Sequence, residues 1–274
     1  MRFVIIASAR TGSSHLVNVL GGHPEIFCHG NVFASHMMAV FWPKTAAPPA
    51  KKIEAFKSEL RDLREKDPDA FLDRVFSMNY EYSHVGFKIF RGQNDYILEK
   101  LLADDSVRKV LLFRRNVLAN YSSAMIAKDN QVWDMPKGKE TRQQPQIEFN
   151  EQEFVVFHNN FMRYYRNVIS ALNEKRQQFH LINYDEINDP LMLAATVNFI
   201  GADGTRTVDE TDIKKVHVKQ NTSNILERFS NSGAVEDFLA RVNRNHWKYE
   251  GETSISLITR SQLSAHEADQ DTAA

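Results

Sequence analysis

The chain has 274 residues, of which 42% are hydrophobic, so it can bury a substantial core in one large α/β domain. Its 34 Lys and Arg residues nearly balance 35 Asp and Glu residues, which gives no sign of the broad basic surface that holds nucleic acid. A single cysteine, Cys28, excludes an internal disulfide and a multi-cysteine metal site, and is typical of a reducing compartment such as the cytosol.

Short apolar runs alternate with longer amphipathic segments, which is the pattern of a parallel sheet covered by helices. Strands are predicted at residues 3–8, 85–90, 109–114 and 179–184. Helices are predicted directly after Gly12 and at residues 53–66, 117–127, 151–175, 190–200 and 234–246. The sequence therefore predicts an α/β fold with a central parallel sheet flanked by helices.

The domain organisation follows from the unpatterned segments. Residues 1–260 are predicted to form one domain with insertions near residues 34–50 and 128–150. Both insertions mix Trp, Met, Pro and charged residues, which is typical of loops over a site or of variable surface segments. The polar residues 261–274 are expected to be a disordered tail. No apolar run approaches the roughly 20 residues of a membrane span, so we expect a soluble protein without stable membrane insertion.

The first candidate site follows the first strand, in the sequence FVIIASARTGSSHL at residues 3–16. A strand that ends in a glycine turn before a helix directs several backbone N–H groups at one point and favours an oxyanion there. Gly12 permits close approach of the backbone, Ser13 and Ser14 offer hydroxyls, and Arg10 offers a full charge. A capped turn with a solvated Arg10 would give the same pattern. The lysine of a nucleoside-triphosphatase loop is missing, which disfavours a metal-bound triphosphate.

A second candidate site follows the third predicted strand, in the sequence VLLFRRNVLANYSSAMIA at residues 110–127. Arg115 lies at the strand exit, and Ser123 follows it by about two helical turns. The spacing alone does not decide whether both side chains reach one ligand.

In this order, the two motifs resemble those of the sulfotransferases that use 3′-phosphoadenosine 5′-phosphosulfate. The family's first motif is a strand, a Lys/Arg-Ser/Thr-Gly-Ser/Thr-Ser/Thr turn and a helix, matched here at residues 10–14. Its second motif is Arg-Asn with a serine eight positions after the arginine, matched by Arg115, Asn116 and Ser123. Weaker likenesses at residues 21–33, 86–90, 182–190 and 218–231 keep the family order, and the last is similar to a closing segment of bacterial carbohydrate-type members.

The resemblance implies a P-loop NTPase-like sulfotransferase fold and in-line transfer of a sulfuryl group to a hydroxyl or amine, without a metal. The implied acceptor is a small molecule or glycan, of the carbohydrate or glycolipid class. The first motif would hold the 5′-phosphosulfate, whose leaving phosphate Arg10 would stabilise, and the second the 3′-phosphate. Tyr184 would meet the adenine unless it is a core residue. The residues implied to bind the nucleotide are Arg10, Thr11, Gly12, Ser13, Ser14, His15, Arg115, Ser123, Tyr184, Lys219, Gln220 and Asn221.

The catalytic base is where the sequence departs from that family. Bacterial carbohydrate-type members carry a glutamate after the glycine that follows the His-Pro turn, but Asn31 stands there and an amide cannot take a proton at neutral pH. His29 and His36 titrate in the useful range, although a lone histidine is commonly structural. Alternatively, Asn31 only orients the acceptor while another carboxylate acts as the base. Lys88 would point into the cleft from its strand, or else lie on the surface.

Two alternatives from other classes stay open. A P-loop kinase or phosphotransferase would need a lysine in the first turn and an acidic magnesium ligand at a strand end, and Asp104 and Asp105 precede their strand instead. A non-catalytic nucleotide-binding or glycan-binding module would keep the phosphate cradle and lack the base, as Asn31 suggests.

Overall fold

A computed structural model describes residues 1–35, 38–43, 47–133, 145–206 and 221–250. Its strands are β1 (Arg2–Ala7), β2 (Ile26–Asn31), β3 (His84–Phe90), β4 (Val107–Phe113) and β5 (Phe179–Asn183). They form a five-stranded sheet in the order β2-β3-β1-β4-β5, in which every pairing is parallel. The predicted α/β fold with a central parallel sheet is confirmed.

Eight α-helices surround the sheet in the described part of the chain. They are α1 (Ser13–Leu20), α2 (Ala50–Lys66), α3 (Pro68–Ser77), α4 (Asp95–Ala103), α5 (Val117–Asn130), α6 (Glu151–Glu174), α7 (Pro190–Ile200) and α8 (Ser232–Arg241). The predicted helix at residues 234–246 ends at Arg241, and a separate 3₁₀ turn follows at Asn245–Lys248. None of the described helices has the length and apolarity that crossing a membrane requires.

Both faces of the sheet are buried, as expected for parallel strands joined by crossover helices. On β1, Val4 and Ile6 point into a large core shared with helices α3, α4, α5, α6 and α8. Phe3, Ile5 and Ala7 point the other way, into a smaller core with α1 and α7. This alternation along one strand follows from the two-residue period of β-structure. It also explains why β1 reads as an unbroken apolar run in the sequence.

The strand order brings the two predicted phosphate motifs together. The turn at residues 8–12 follows β1, and residues 114–116 follow β4, which is the neighbour of β1 in the sheet. Strand β3 lies on the other side of β1, so Lys88 near its end flanks the same turn. Parallel strands end at one edge of a sheet, which makes this carboxyl edge the natural place for a ligand.

The predicted insertions are only partly described. Helix α5 extends to Asn130, inside the segment assigned to the second insertion, whereas residues 134–144 lie outside the described residues. The predicted tail at residues 261–274 also lies outside them. The first insertion ends where α2 begins, and its described residues 38–43 and 47–49 form no helix or strand.

Gly86 in β3 leaves room for the ring of Phe3 in the centre of the sheet. A Cβ atom at Gly86 would lie 2.5 Å from atoms of that ring, which is fully buried. We therefore expect Gly86→Ala to lower the free energy of unfolding by about 1–3 kcal/mol through overpacking. Urea denaturation measures this. Gly233→Ala is the matched control, since a Cβ there meets nothing within 4 Å and alanine favours helix α8, so stability should hold or rise.

Candidate functional site

The turn between β1 and α1 uses two residues in the left-handed backbone region. Gly12 has φ 83° and caps the first turn of α1, while Arg10 has φ 63° although it is not glycine. A Cβ atom at Gly12 would lie 2.6 Å from Cδ2 of Tyr184, so only glycine lets this ring pack against the turn. The first N–H groups of an α-helix lack intrahelical acceptors, which makes the start of α1 suited to an oxyanion.

Side-chain hydrogen bonds fix the backbone carbonyl groups of this turn. Three successive carbonyls, those of residues 8–10, each accept a hydrogen bond from a different side chain. The bonds run from Thr11 Oγ1 to Ser8 O at 2.7 Å, from Asn120 Nδ2 to Ala9 O at 2.9 Å, and from Arg114 Nη1 to Arg10 O at 2.7 Å. These bonds fix the turn from outside and direct its carbonyl oxygens away from an anion at the start of α1.

Tyr165 of α6 secures the start of the same turn. Its hydroxyl donates to Leu112 O at 2.6 Å and accepts from the backbone N of Ser8 at 3.0 Å. Burial raises the pKa of this phenol well above its usual value, so the hydroxyl stays protonated. The tyrosine thus joins the ends of β1 and β4 at the edge that carries both motifs.

Lys88 delivers a buried charge to the start of α1 from the neighbouring strand. It pairs with Ile5 across β3 and β1, and its side chain is almost entirely buried. Its Nζ atom donates to Ser14 Oγ at 2.7 Å and lies 3.4 Å from Ser13 Oγ. The two hydroxyls predicted as anion ligands are therefore also ligands of an ammonium group.

Arg10 and Ser123, which the sequence assigns to different phosphate sites, are in direct contact. Arg10 Nε donates to Ser123 Oγ over 2.9 Å, and Asn221 Nδ2 reaches the same oxygen at 3.1 Å. Arg10 Nη1 also bonds the carbonyl oxygen of Trp133, just beyond α5. The turn after β1, helix α5 and the start of the C-terminal segment therefore meet at Ser123.

Arg115 lies beside this group and is held by the end of β5. Its Nη2 atom forms an ion pair with Glu186, and its backbone N donates to Asn183 Oδ1 at 3.0 Å. Glu186 in turn accepts from the backbone N of Asn183 at 2.8 Å, which fixes the carboxylate.

Asn116, the residue after Arg115, caps α5, since its Oδ1 accepts from Ala119 N at 2.9 Å. The asparagine of the second motif is thus explained by its role as the N-cap of α5.

The two described candidates for the base lie in and after β2. His29 is fully buried, and its Nδ1 accepts from the backbone N of Phe41 at 3.2 Å. Burial lowers the pKa of this imidazole to about 4, so it is neutral at pH 7. Asn31 pairs with Lys88 across β2 and β3, and its buried Oδ1 has no hydrogen-bond partner among the described residues. The buried Nε2 of His29 likewise has no hydrogen-bond partner among the described residues, so His29 and Asn31 each keep one unpaired polar atom.

The other predicted residues have varied positions. Thr11 is fully buried with its hydroxyl turned to Ser8, so it can offer an anion only its backbone N–H. His15 Nε2 contacts Asn188 Oδ1 at 2.6 Å beyond β5. The Tyr184 ring packs on Gly12 on one side and lies 4.2 Å from the Arg114 guanidinium. His36, Lys219 and Gln220 lie outside the described residues.

Several residues that shape the site were missed by the sequence analysis. They are Arg114, Asn120, Tyr165, Arg228 and Glu250. Asn120 is fully buried in α5 beside the buried Ser122 and Ser123, and a polar residue in a buried helix must find a hydrogen-bond partner. The roles of the other four residues come from contacts between distant segments of the chain, and no local sequence pattern marks such contacts. Among the described residues, no group of three or more His, Cys, Asp or Glu side chains is arranged to hold a metal ion.

Comparison with known proteins shows which chains this one is similar to. No protein-family model matches the chain. Two curated proteins of Rhizobium meliloti, both named Nodulation protein H, are 25% and 24% identical to it over 219 residues, which cover 78% of this chain and 82% of theirs.

Three solved structures titled as sulfotransferases are similar to the chain over most of its length. The sulfotransferase from Alicyclobacillus acidocaldarius is 15% identical with a TM-score of 0.46, covering 90% of this chain and 98% of its own. The sulfotransferase domain of the curacin biosynthetic pathway is 12% identical with a TM-score of 0.40, covering 87% and 97%. That of the Synechococcus PCC 7002 olefin synthase is 14% identical with a TM-score of 0.41, covering 98% and 94%.

Buried His29 makes the stability of the protein depend on pH. Its pKa is about 4 in the folded state, against about 6.5 when unfolded, so the unfolded chain binds more protons between these values. Stability from this group is present above pH 6.5 and falls as the pH drops toward 4. Between pH 7 and pH 5, we expect the free energy of unfolding to fall by about 2 kcal/mol more in the wild type than in His29→Asn. Urea denaturation at both pH values tests this, and equal losses would contradict it.

Proposed function

We propose that the chain is a sulfotransferase that uses 3′-phosphoadenosine 5′-phosphosulfate as its donor and a hydroxyl, or an amine, as its acceptor. The observation that supports this most directly is the Arg10–Ser123 hydrogen bond of 2.9 Å. It joins the turn suited to the 5′-phosphosulfate directly to the helix suited to the 3′-phosphate. The residues around it provide cations and hydroxyl donors without a carboxylate at the start of α1.

The donor would lie along the carboxyl edge of the sheet. Its 5′-phosphosulfate would take the backbone N–H groups at the start of α1 with Ser13 and Ser14, and its 3′-phosphate would take Ser123, Arg115 and Asn221. Arg115 already holds a fixed orientation through Glu186, so it would meet the phosphate with its remaining N–H groups. Lys219 and Gln220, which precede Asn221 in the sequence, are proposed to bind the same 3′-phosphate. Tyr184 is the proposed neighbour of the adenine.

The reaction is an in-line transfer at sulfur. The acceptor oxygen forms a bond to sulfur while the bond from sulfur to the bridging oxygen breaks, and that electron pair leaves with adenosine 3′,5′-bisphosphate. The acceptor's proton passes to a base. Positive charge on the bridging oxygen lowers the barrier, and Lys88 and Arg10 are the cations placed at this end of α1.

Lys88 also argues against the kinase alternative. In a nucleoside-triphosphatase loop the hydroxyl at the start of the helix binds magnesium. Here the hydroxyls of Ser13 and Ser14 face the Lys88 ammonium at 3.4 and 2.7 Å. A divalent cation at that place would meet a buried positive charge, which is unfavourable in a weakly solvated site. The same ammonium suits a phosphosulfate that reacts without a metal.

The acceptor is proposed to be a carbohydrate or glycolipid on the strength of the motif resemblance. A surface cavity of about 470 Å³ is lined in part by Trp42, Phe56 and Tyr80. Its lining residues 77–81 precede β3, whereas Lys88 lies near the end of that strand. This cavity is therefore not placed to hold the reacting hydroxyl, and the acceptor must approach the carboxyl edge beside Asn31 and Lys88.

Asn31 is proposed to orient the acceptor. Its open Oδ1 can accept a hydrogen bond from the acceptor hydroxyl but cannot take its proton. Burial lowers the pKa of His29 to about 4, which makes it a weak proton acceptor, so the base is proposed to be a group outside the described residues, of which His36 is the candidate that the sequence offers.

Isothermal titration with adenosine 3′,5′-bisphosphate, together with a transfer assay on sugars and phenols using labelled donor, tests the proposal. We expect binding without added magnesium and transfer to at least one sugar. Absence of bisphosphate binding would overturn both the sulfotransferase and the inactive-module interpretations. Tight binding with no transfer would leave the inactive module, and magnesium-dependent binding of adenosine triphosphate would favour the kinase.

Lys88→Met is expected to lower the rate of transfer by about a hundredfold, because it removes the positive charge that stabilises the leaving oxygen. Bisphosphate affinity should also fall, since the bridging oxygen leaves with the bisphosphate and carries its negative charge there. Single-turnover assays and titration measure the two effects. Lys100→Met is the control, since Lys100 is an exposed lysine paired with Asp69 away from the site. A rate equal to that of the control would exclude Lys88 from the reaction.

Single replacement of Asn31, His29 and His36 by alanine separates orientation from proton transfer. Asn31→Ala should raise the acceptor KM and leave the pH profile of kcat unchanged, because an amide does not titrate. His36→Ala should flatten that profile if His36 is the base. His29→Ala should act mainly on stability. An unchanged profile in all three variants would place the base elsewhere in the chain.

A further inference from the structure

A buried ion cluster lies behind the turn that follows β1. Glu250 Oε1 accepts from Arg228 Nη2 at 2.6 Å and also forms an ion pair with Arg114. All three side chains are at most 6% exposed. Burial lowers the pKa of Arg228, and the charge of Glu250 opposes that shift. One carboxylate thus compensates two buried guanidinium groups, which makes it costly to remove.

Arg114 connects this cluster to the phosphate turn. While it pairs with Glu250, its Nη1 donates to the carbonyl of Arg10 at 2.7 Å. Its guanidinium also lies 4.2 Å from the centre of the Tyr184 ring, and that ring packs against Gly12. Arg10 and Gly12 are the two left-handed residues of the turn. A change in the orientation of Arg114 would therefore disturb the two left-handed residues of the turn after β1.

The segment that carries Glu250 is itself tied to helix α5. Arg228 Nη1 donates to Ser122 Oγ at 3.1 Å, and Asn116 Nδ2 donates to the carbonyl of Trp247 at 3.0 Å. The backbone N of Glu250 donates to Ser223 O at 2.9 Å, two residues from Asn221, which contacts Ser123. Glu250 is therefore held in place independently of any ligand.

We infer that Glu250 is a positioning residue for the donor nucleotide: it fixes Arg114, and Arg114 fixes the turn that receives the 5′-phosphate. This rests on the proposed function. Glu250, the last described residue, would thereby support the binding of an anion through Arg114, although it carries a negative charge itself.

The sign of the effect separates this role from a simple electrostatic one. If Glu250 acted on the nucleotide only through its charge, its removal would strengthen the binding of an anion. If it acts through Arg114, its removal releases the turn and weakens binding. A role in global stability alone would lower the melting temperature without changing the affinity of the folded protein.

Glu250→Gln is compared with Glu236→Gln, which removes a carboxylate from an exposed ion pair with Lys248 in the same segment. Titration uses adenosine 3′,5′-bisphosphate and adenosine 5′-monophosphate, well below the melting temperature. We expect Glu250→Gln to raise the Kd of both ligands about tenfold, because both carry the 5′-phosphate, and Glu236→Gln to change neither more than about twofold. Arg115→Ala should instead weaken only the bisphosphate.

A double-mutant cycle tests the route through Arg114. Arg114→Lys keeps the charge but loses the second arm that reaches Arg10. Its effect on Kd should not add to that of Glu250→Gln, whereas the effect of Arg115→Ala should add to it. If Glu250→Gln does not fold, Glu250→Asp takes its place, since the shorter carboxylate cannot span both guanidinium groups, and we expect about a threefold rise in Kd.

Unchanged or tighter binding in a folded Glu250 variant, or full additivity with Arg114→Lys, would overturn the inference. These outcomes are distinct from a failure of the proposed function, in which the wild type itself would not bind the bisphosphate.

Discussion

The candidate site depends on the way in which the turn after β1 is held from outside. Its three carbonyls at residues 8–10 accept hydrogen bonds from side chains of the turn itself, of helix α5 and of the strand exit after β4. A short turn that contains a left-handed arginine has little reason to keep this conformation by itself. With the carbonyl oxygens bound on the outer side, the N–H groups at the start of α1 are left to face a ligand.

Two buried cations give the site its chemical character. Lys88 reaches the hydroxyls at the start of α1 from β3, and Arg114 supports the turn from behind. Arg114 is paired with Glu250, and Lys88 donates to serine hydroxyls that the proposed donor would also contact. The guanidinium therefore supports the turn, while the ammonium lies next to the start of α1, where the leaving group of the proposed donor would gain negative charge.

The carboxyl edge of the sheet also explains why residues distant in the sequence act together. Arg10 follows β1, Arg115 follows β4 and Glu186 follows β5, and these strands are neighbours in the sheet. Ser123 then meets Arg10 because α5 starts beside the turn and Asn120 of the same helix binds it. The turn after β1 and helix α5 are therefore in direct contact, which is the basis of the proposed donor site.

The sequence by itself predicted four of the five strands, most of the helices and the two candidate phosphate motifs, because apolar periodicity and the glycine turn are local signals. It missed β2, whose apolar run is broken by His29 and Gly30, and it missed the short helices α3 and α4. Only the tertiary structure decided that His29 is buried while Lys88 reaches the site, since the same residue types suit a surface or a core. It alone decided that Glu250 supports Arg114, because an ion pair across 136 positions leaves no local pattern and forms only when the strand order brings its two segments together.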